Sequence, residues 1–458
     1  MKKLRVIALF VAGAATAAFA APYRDLTATH EFLIGTTMHF SADEGIVDEV
    51  LQVMQQGGHN VWRGDASWST AQKNAASPVR LGASSQAAVD ASCKYGIAPL
   101  LILAYTNKII DERYPVGSRL PPYVNYCDSI VAAEKGKVHF YQVWNEWDGS
   151  CGVTPEVSAL KENTVPNYLK LLRESYRVIK RNDPESIVIA NSVCSGDNTL
   201  HECFRSGMLD YCDAYAIHSY TRHNPERVYN RLKNLAEASA NFNNNQPKPF
   251  YLTEQSWITH TAKVSEATQG ISEAMQGDYI ARLFLLFKSL PSCRGVMWYN
   301  FNERGDDYKR PTLFWGMVNR DMTPKDAYYC LASVAETVKK GKFEKRLSSE
   351  DKELWLMVYQ MPDGSRTLAA WTEKPGIRVQ VILNRGDAPS NPLTFIKCGH
   401  PVITRNWGFR DQTIDRLDVP VDWKQFSFYT TTRPVLIGGL PKDFKVEKIA
   451  IHLFSDKK

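Results

Sequence analysis

Short apolar runs of strand length alternate with longer amphipathic segments from about Phe32 to about Lys340. The runs predict eight strands: Phe32 to Thr36, Asn60 to Arg63, Ala98 to Ala104, His139 to Trp144, Ile187 to Asn191, Ala214 to His218, Phe250 to Glu254, and Gly295 to Tyr299. The segments between them place apolar residues three and four apart, as helices do; they include Ile46 to Gln55, Gln86 to Lys94, Tyr168 to Lys180, Pro225 to Ala240 and Gln276 to Leu290. Strand and helix alternating eight times over about 300 residues predicts a (β/α)8 barrel.

The main alternative fold is an open, doubly wound parallel sheet. In a nucleotide-binding sheet of that kind a Gly-rich phosphate loop follows the first strand, and this chain has none there. Its polar residues gather instead at the carboxyl ends of several strands, which is where a barrel places its active face. The pattern therefore favours the barrel.

After Lys340 the helical period is absent, and short strands are broken by Gly, Pro, Asn and Asp. The predicted strands are Glu353 to Met361, Arg366 to Trp371, Val379 to Leu383, Leu393 to Cys398, Gln425 to Thr431 and Val446 to Phe454, with a hairpin at Asp363-Gly364. We therefore predict a barrel over residues 21–340 and an antiparallel β-sandwich over residues 341–458. The sandwich either packs against the barrel as a purely structural unit or is an independent carbohydrate-binding module.

The first 20 residues have the pattern of an export signal. Met1 to Arg5 is basic, an apolar run opens at Val6, and Ala18 to Ala20 has small residues at both positions that signal peptidase recognises. We expect residues 1–20 to be removed, an uncleaved membrane anchor being the alternative. The short Lys-rich start is typical of proteins that bacteria export, so the predicted location is the periplasm or the cell exterior.

Composition excludes some partners. The chain has 458 residues and is 44% hydrophobic, far above the size at which core burial is marginal. Its formal net charge of +6 is spread over 55 basic and 49 acidic residues. No stretch clusters Lys and Arg with interleaved aromatics, so nucleic acid is not an expected partner.

Nine cysteines follow the signal, an odd number that leaves at least one unpaired. Cys194, Cys203 and Cys212 lie close together in sequence, so we expect one local disulfide among them. The spacing does not match the paired C-x₂₋₄-C ligands of zinc ribbons and fingers.

Two glutamates stand where apolar runs end. Glu146 closes the fourth predicted strand and Glu254 closes the seventh, so both should face the barrel mouth. Hydrolysis of a glycosidic bond needs two carboxyl groups, because one protonates the leaving oxygen while the other attacks or activates water. A carboxyl lined by Trp144, Trp147 and Trp257 would lose solvation, and its pKa would then rise. For any single glutamate, a solvated loop position is the simpler interpretation.

These residues carry a family resemblance over about residues 32–340. The pattern is Asn145-Glu146 on strand four, His218-Ser219-Tyr220 on strand six, Glu254 on strand seven and Trp298 on strand eight. It resembles the clan A glycoside hydrolases, retaining (β/α)8 enzymes that include families 5, 39 and 51. The β domain that follows is similar to that of family 39 and 51 members.

The resemblance implies a role for each residue. Glu146 would be the acid/base and Glu254 the nucleophile of a double displacement that cleaves β-linked bonds in an oligo- or polysaccharide with retention. The implied substrate-binding residues are Asn145 at the sugar 2-hydroxyl, Tyr220 at the nucleophile, His218 in the subsite of bond cleavage, Arg63 keeping Glu254 ionised, and Trp298 as the platform beneath the sugar. No metal or organic cofactor is implied.

One departure from the family pattern concerns the acid/base loop. Many clan members have Pro directly after the acid/base glutamate, whereas this chain has Trp147.

Two other functions stay open. One is a glycan-binding protein without turnover. The other is a non-carbohydrate hydrolase or metalloenzyme on the same scaffold, although the chain lacks a Gly-x-Ser-x-Gly elbow and a His-Glu-x-x-His run.

The export signal predicts the mass of the mature protein. Cleavage after Ala20 gives an N-terminal peptide that begins at Ala21, which mass spectrometry of protein secreted by a bacterial host can identify. A peptide that begins at Met1 or Lys2 would contradict the prediction.

Overall fold

The structure is a computed structural model that describes residues 31–40, 44–149, 151–194, 196–260, 270–305, 307, 309–384, 393–399, 415–419 and 425–453. The predicted signal, residues 1–20, lies outside the described residues, so it stays a prediction. Within the described ranges, no helix combines the length and the apolar character that crossing a membrane requires.

A closed barrel of parallel strands forms the larger part of the structure. Its strands are β1 (Leu33–Thr37), β2 (Val61–Ser67), β3 (Ala98–Ala104), β4 (Phe140–Val143), β5 (Ile187–Val193), β6 (Ala214–His218), β7 (Phe250–Gln255) and β8 (Cys293–Trp298). Each strand pairs with the next, and β1 pairs with β8 to close the ring. The predicted (β/α)8 barrel is confirmed, and every predicted barrel strand overlaps an observed one.

Helices alternate with the strands. In the described part of the chain they are α1 (Glu44–Gln56), α2 (Trp68–Ala71), α3 (Ala83–Tyr95), α4 (Leu120–Glu134), α5 (Pro155–Ala159), α6 (Val165–Asn182), α7 (Asp197–Arg205), α8 (Pro225–Ser239), α9 (Glu273–Lys288) and α10 (Asp326–Lys340). Helix α6 shows how the sequence determines where a helix begins and ends. The Thr164 side chain accepts a hydrogen bond from the amide of Asn167, and the helix ends directly before Asp183.

The barrel interior is filled by alternate residues of the strands. Each strand contributes to one apolar cluster, made of Leu33, Val61, Ala98, Leu100, Phe140, Ile189, Ala214, Ala216, Tyr251 and Met297. Their neighbours in sequence, such as Trp62 and Leu252, belong instead to the larger core outside the barrel. Because side chains alternate along a strand, the residues that follow this cluster at the carboxyl ends point into the mouth.

Two antiparallel sheets follow the barrel, which confirms the predicted sandwich. Their strands are β9 (Lys342–Arg346), β10 (Leu354–Gln360), β11 (Arg366–Thr372), β12 (Ile377–Asn384), β13 (Leu393–Lys397), β14 (Asp415–Val419), β15 (Gln425–Thr430), β16 (Val435–Leu440) and β17 (Lys445–Leu453). One sheet has the order β14-β13-β16-β11-β10-β9 and the other β15-β12-β17. Strands β9, β14 and β16 were not among those predicted.

Strand β10 of the six-stranded sheet is covered on both faces. Leu354, Leu356 and Val358 pack with residues of the three-stranded sheet. The alternate residues of β10, Trp355, Met357 and Tyr359, belong to the same core as the barrel helices. The sheet is therefore the middle of three layers, which explains why the Leu354–Gln360 run reads as almost continuously apolar.

All nine cysteines carry free thiols. The expected local disulfide among Cys194, Cys203 and Cys212 is therefore absent. Cys203 and Cys212 are buried, whereas Cys194 is exposed.

A buried carboxylate joins the barrel to the middle sheet. Glu226 of α8 accepts hydrogen bonds from the guanidinium of Arg282 on α9, with Nε to Oε1 at 2.7 Å. The indole Nε1 of Trp371 on β11 donates to the same Oε1 at 2.8 Å. Both members of the ion pair are almost wholly buried. Loss of the carboxylate would leave a buried cation without its partner.

Glu226→Ala should lower the free energy of unfolding by about 3–5 kcal/mol, because Arg282 stays buried and unpaired. Glu226→Gln keeps an acceptor for Trp371 and should cost less. Urea unfolding gives both values. The control is Glu237→Ala, whose exposed side chain lies 4.0 Å from Lys233 and should change stability by no more than about 0.5 kcal/mol. A wild-type stability for Glu226→Ala would contradict the assignment.

Candidate active site

The two predicted glutamates face one another at the carboxyl ends of the barrel strands. A carboxylate oxygen of Glu146, one of Glu254 and a ring nitrogen of His218 all lie within 4.8 Å of one another. The side chain of Glu254 is 10% exposed and that of Glu146 is 17% exposed. The site is therefore a nearly closed group of ionisable side chains at the bottom of the barrel mouth.

The end of β4 bends to bring Glu146 into this group. Phe140 lies in the barrel interior, and Gln142 contacts the mouth residue Arg63. Trp144 and Glu146 then take positive φ angles of 69° and 47°, which residues other than glycine seldom adopt. The bend sends the Trp144 ring into the outer core and turns Glu146 toward the mouth. Backbone strain of this kind is typical of functional sites.

Arg63 organises the floor of the site. Its guanidinium is fully buried and donates to Oε1 of Glu254 at 2.7 Å and to Oδ1 of Asn145 at 2.6 Å. It also donates to Gln142 at 3.0 Å and, more weakly, to Thr37 at 3.4 Å. Asn145 has its side-chain amide nitrogen left to donate to a ligand. The structure thus places Arg63, Asn145 and Glu254 together, as the sequence predicts.

Tyr220 holds the second oxygen of Glu254. Its hydroxyl donates to Oε2 at 2.7 Å. Burial, together with the nearby charge of Glu254, raises the pKa of Tyr220 well above its ordinary value, so the hydroxyl keeps its proton. Glu254 is therefore fixed from both sides by donors that do not lose their protons near neutral pH.

Glu146 has different partners. Its Oε1 lies 2.8 Å from Nδ1 of His218, and its Oε2 lies 2.9 Å from the thiol of Cys151. Burial raises the pKa of Glu146. The hydrogen bond and charge of His218, the hydrogen bond from Cys151 and the charge of Arg63 outweigh burial and lower this pKa to about 2.

The expected rise in the pKa of Glu146 is therefore wrong. Trp144, Trp147 and Trp257 do not line the carboxyl but are buried in the outer core. The partners of Glu146 are polar, and they favour its ionised form. Sequence position alone indicated nearby indoles, but it could not show that their rings point away from the mouth.

Trp298 also lies outside the site. Its ring is fully buried in the outer core, packs against Trp257 and donates from Nε1 to the carbonyl of Trp315 at 3.0 Å. The next residue, Tyr299, faces the mouth instead, beside the rings of Tyr220 and Trp315. The charge of Glu254 contributes, after burial, to raising the pKa of Tyr299. The structure thus places Tyr299 where the sequence predicted Trp298.

Two residues of the site, Tyr299 and Cys151, were not predicted from the sequence. Only Tyr299 could have been found from a pattern in the sequence. Met297 lies in the barrel interior, so alternation along β8 predicts that Tyr299 points inward and Trp298 outward. Cys151 follows the strand by several residues in a polar segment, and no periodic pattern marks it.

A cavity of about 320 Å³ adjoins Glu146 and is lined by residues that include His218, Ser219, Tyr220, Asp197 and Arg231. Arg231 is held by Asp197, with Nε to Oδ2 at 2.9 Å, and donates to Ser219 at 3.1 Å. A group bound next to Glu146 on this side would meet a polar wall.

A metal ion fits this group of ligands poorly. Glu146, His218 and Glu254 offer two carboxylates and an imidazole whose ligand atoms lie within 4.8 Å of one another. However, the buried Arg63 guanidinium is 2.7 Å from Glu254 and already neutralises it. A second cation would be repelled by Arg63, so the electrostatics favour a neutral ligand.

The fold is shared with solved glycoside hydrolases. A family 39 glycoside hydrolase from Bacteroides cellulosilyticus matches with 21% identity over 90% of this chain and 81% of its own, at a TM-score of 0.67. A glucosidase from Croceicoccus marinus has 14% identity over 90% of this chain and 96% of its own, at a TM-score of 0.62. A GH30 endoxylanase from Clostridium papyrosolvens has 12% identity and the same coverages, at a TM-score of 0.60.

The family 39 and GH30 enzymes among these neighbours are clan A glycoside hydrolases. The chain has their fold. No protein-family model matches the chain, and no curated protein matches it. At these identities the likeness concerns the fold, so the chemistry has to be argued from the side chains of the site.

Substitutions can separate Tyr299 from Trp298. Tyr299→Ala should lower kcat/KM at least about tenfold on any glycoside that the protein hydrolyses, because an aromatic surface in the mouth is lost. Trp298→Phe removes the hydrogen bond to Trp315 inside the core. It should lower the unfolding free energy by about 1 kcal/mol and leave kcat/KM nearly unchanged. The opposite ranking would restore Trp298 as the platform.

Proposed function

We propose that this protein is a retaining glycoside hydrolase that cleaves β-linked glycosidic bonds in an oligo- or polysaccharide. The observation that carries the proposal is the pair Glu146 and Glu254, whose nearest ligand oxygens lie within 4.8 Å. Retaining enzymes hold their carboxyl groups about 5–5.5 Å apart, whereas inverting enzymes leave about 6.5–9.5 Å for a water molecule. The short separation favours retention.

The partners of the two carboxylates assign their roles. Glu254 lies against Arg63 and Tyr220, which stabilise its negative charge and hold both oxygens in place. Such a carboxylate is suited to attack on carbon. Glu146 lies against the imidazole of His218, a group that can carry and release a proton. Glu146 is therefore the acid/base.

The reaction runs in two displacements. In the first, a carboxylate oxygen of Glu254 forms a bond to the anomeric carbon while the glycosidic bond breaks and Glu146 gives its proton to the leaving oxygen. In the second, Glu146 takes a proton from water, the water oxygen bonds to the anomeric carbon, and the bond to Glu254 breaks. The configuration is retained, and Glu146 ends protonated as it began.

The first step needs Glu146 in its protonated form, although the pKa of Glu146 is about 2 in the ligand-free protein. A bound sugar displaces water from the mouth, and the loss of solvent raises the pKa of Glu146 because it disfavours the charged form. The imidazole of His218, whose Nδ1 lies 2.8 Å from Oε1, holds the carboxyl in place for the transfer.

Asn145 completes the sugar site. Arg63 fixes the carboxamide through Oδ1 and leaves the amide nitrogen to donate to a hydroxyl. A contact to the 2-hydroxyl can strengthen in the transition state. Export by the predicted signal would deliver the enzyme to the periplasm or the medium, where polysaccharides are accessible.

The test is trapping with 2-deoxy-2-fluoro glycosides of several configurations, followed by peptide mass mapping. A covalent sugar on the peptide that contains Glu254 is expected with glycosides that carry a good leaving group, because the fluorine slows both displacements and the leaving group speeds only the first. Glu254→Gln should abolish labelling and lower kcat by at least about 10³-fold. Glu336→Gln, on an exposed helix surface, is the matched control and should behave as wild type.

Three outcomes would contradict the proposal. Labelling of a different residue would move the nucleophile, and inversion at the anomeric carbon would exclude a double displacement. Glycan binding without turnover or labelling across the panel would favour the alternative of a glycan-binding protein on the same barrel.

A further inference from the structure

Cys151 touches the proposed acid/base and has no part in the scheme above. Its Sγ lies 2.9 Å from Oε2 of Glu146, while Oε1 of the same carboxylate lies 2.8 Å from Nδ1 of His218. Both oxygens of Glu146 therefore have a partner in the ligand-free protein. The two donors are unequal, because a thiol S–H is a weaker donor than an imidazole N–H.

A turn in the backbone after Glu146 brings Cys151 close to the carboxylate of Glu146. The amide of Gly149 donates to the carbonyl of Glu146 at 2.9 Å and closes a tight turn. Asn163 donates to the carbonyls of Asp148 and Gly149, each at 3.1 Å, and the Tyr114 hydroxyl donates to the Gly149 carbonyl at 3.1 Å. The approach of the thiol to the carboxylate thus follows from an anchored turn.

We propose that Cys151 is a positioning residue for the proposed reaction: its thiol holds Oε2 of Glu146 in the ligand-free protein and yields that oxygen to the leaving-group oxygen of the substrate. The inference rests on the proposed function of Glu146. The weaker donor is displaced first, so Oε2 becomes the oxygen that carries the transferred proton while His218 keeps Oε1 in place. No bond to sulfur forms or breaks.

The thiol keeps its proton near neutral pH. Burial raises the pKa of Cys151 far above its ordinary value, and the charge of Glu146 raises it further. The other titratable or charged groups that face Glu146 are His218, Arg63, Glu254, Tyr220 and Cys194. Cys194 makes its side-chain hydrogen bond to Asp148, so it is a nearby thiol without this contact.

The first test is the pH dependence of kcat/KM on an aryl glycoside that the wild type hydrolyses. A donor to the carboxylate favours its ionised form, so removing the donor raises the pKa of the acid. The basic limb for Cys151→Ala should move to higher pH by about 0.5 to 1 unit. Cys151→Ser keeps a donor and should restore the wild-type limb, and Cys194→Ala should leave it in place. A superimposable profile for Cys151→Ala would overturn the proposal.

The second test needs no turnover. Glu146→Gln removes the charge that raises the pKa of Cys151, so alkylation of Cys151 by iodoacetamide at pH 8 should become about three- to tenfold faster. Peptide mass mapping gives the rate, with the exposed Cys93 as the internal reference. An unchanged rate ratio would show that the contact is absent in solution. If the protein proves to have no glycosidase activity, the role of Cys151 in the reaction fails with the proposed function, and a faster alkylation rate supports only the contact between Cys151 and Glu146.

Discussion

A buried positive charge determines the geometry of the barrel mouth. Arg63 has no exposed surface, and an uncompensated guanidinium in that position would cost several kcal/mol. Its acceptors come from β1, β4, the segment after β4, and β7. The barrel therefore has to close with these strands in register for Arg63 to be satisfied. Because the guanidinium is planar and rigid, its partners are fixed in direction as well as in distance.

Two chemically identical carboxylates differ because of the kind of group that each one faces. Glu254 meets a guanidinium and a phenol that stays neutral, and each of them donates to one of its oxygens. Glu146 meets an imidazole, which as a chemical group can take up and release a proton, and a thiol that keeps its proton. Asymmetry of this kind is what a reaction with one nucleophile and one proton carrier requires.

The sequence predicted the barrel well because its strands are buried on both faces and read as uninterrupted apolar runs. The ends of those runs located Glu146 and Glu254 for the same reason. The error at Trp298 came from the family resemblance, which implied that this residue is the platform. Alternation along β8 from the inward-facing Met297 points to Tyr299 instead. The positive φ angles at Trp144 and Glu146 break the alternation on β4, so no pattern of residue types could have oriented that segment.

The electrostatics of the site were harder to predict than its composition. The sign of the pKa shift at Glu146 depends on contacts from His218 and Cys151, which lie 72 residues and five residues away in the chain. Burial raises the pKa of Glu146 and hydrogen bonding lowers it. The distances to the hydrogen-bond partners decide which effect is larger. The three-dimensional arrangement was needed to obtain that balance.

The position of the six-stranded sheet between two other layers affects how the chain can be divided. One face of β10 is completed by barrel helices and the other by the three-stranded sheet, and Trp371 gives its indole proton to a carboxylate of α8. A polypeptide cut after Lys340 would expose apolar helix surface to water and would leave Glu226 without its hydrogen bond from Trp371. The boundary near Lys340 is thus not a point at which the chain separates easily. The barrel and the two sheets are expected to unfold together in one cooperative transition.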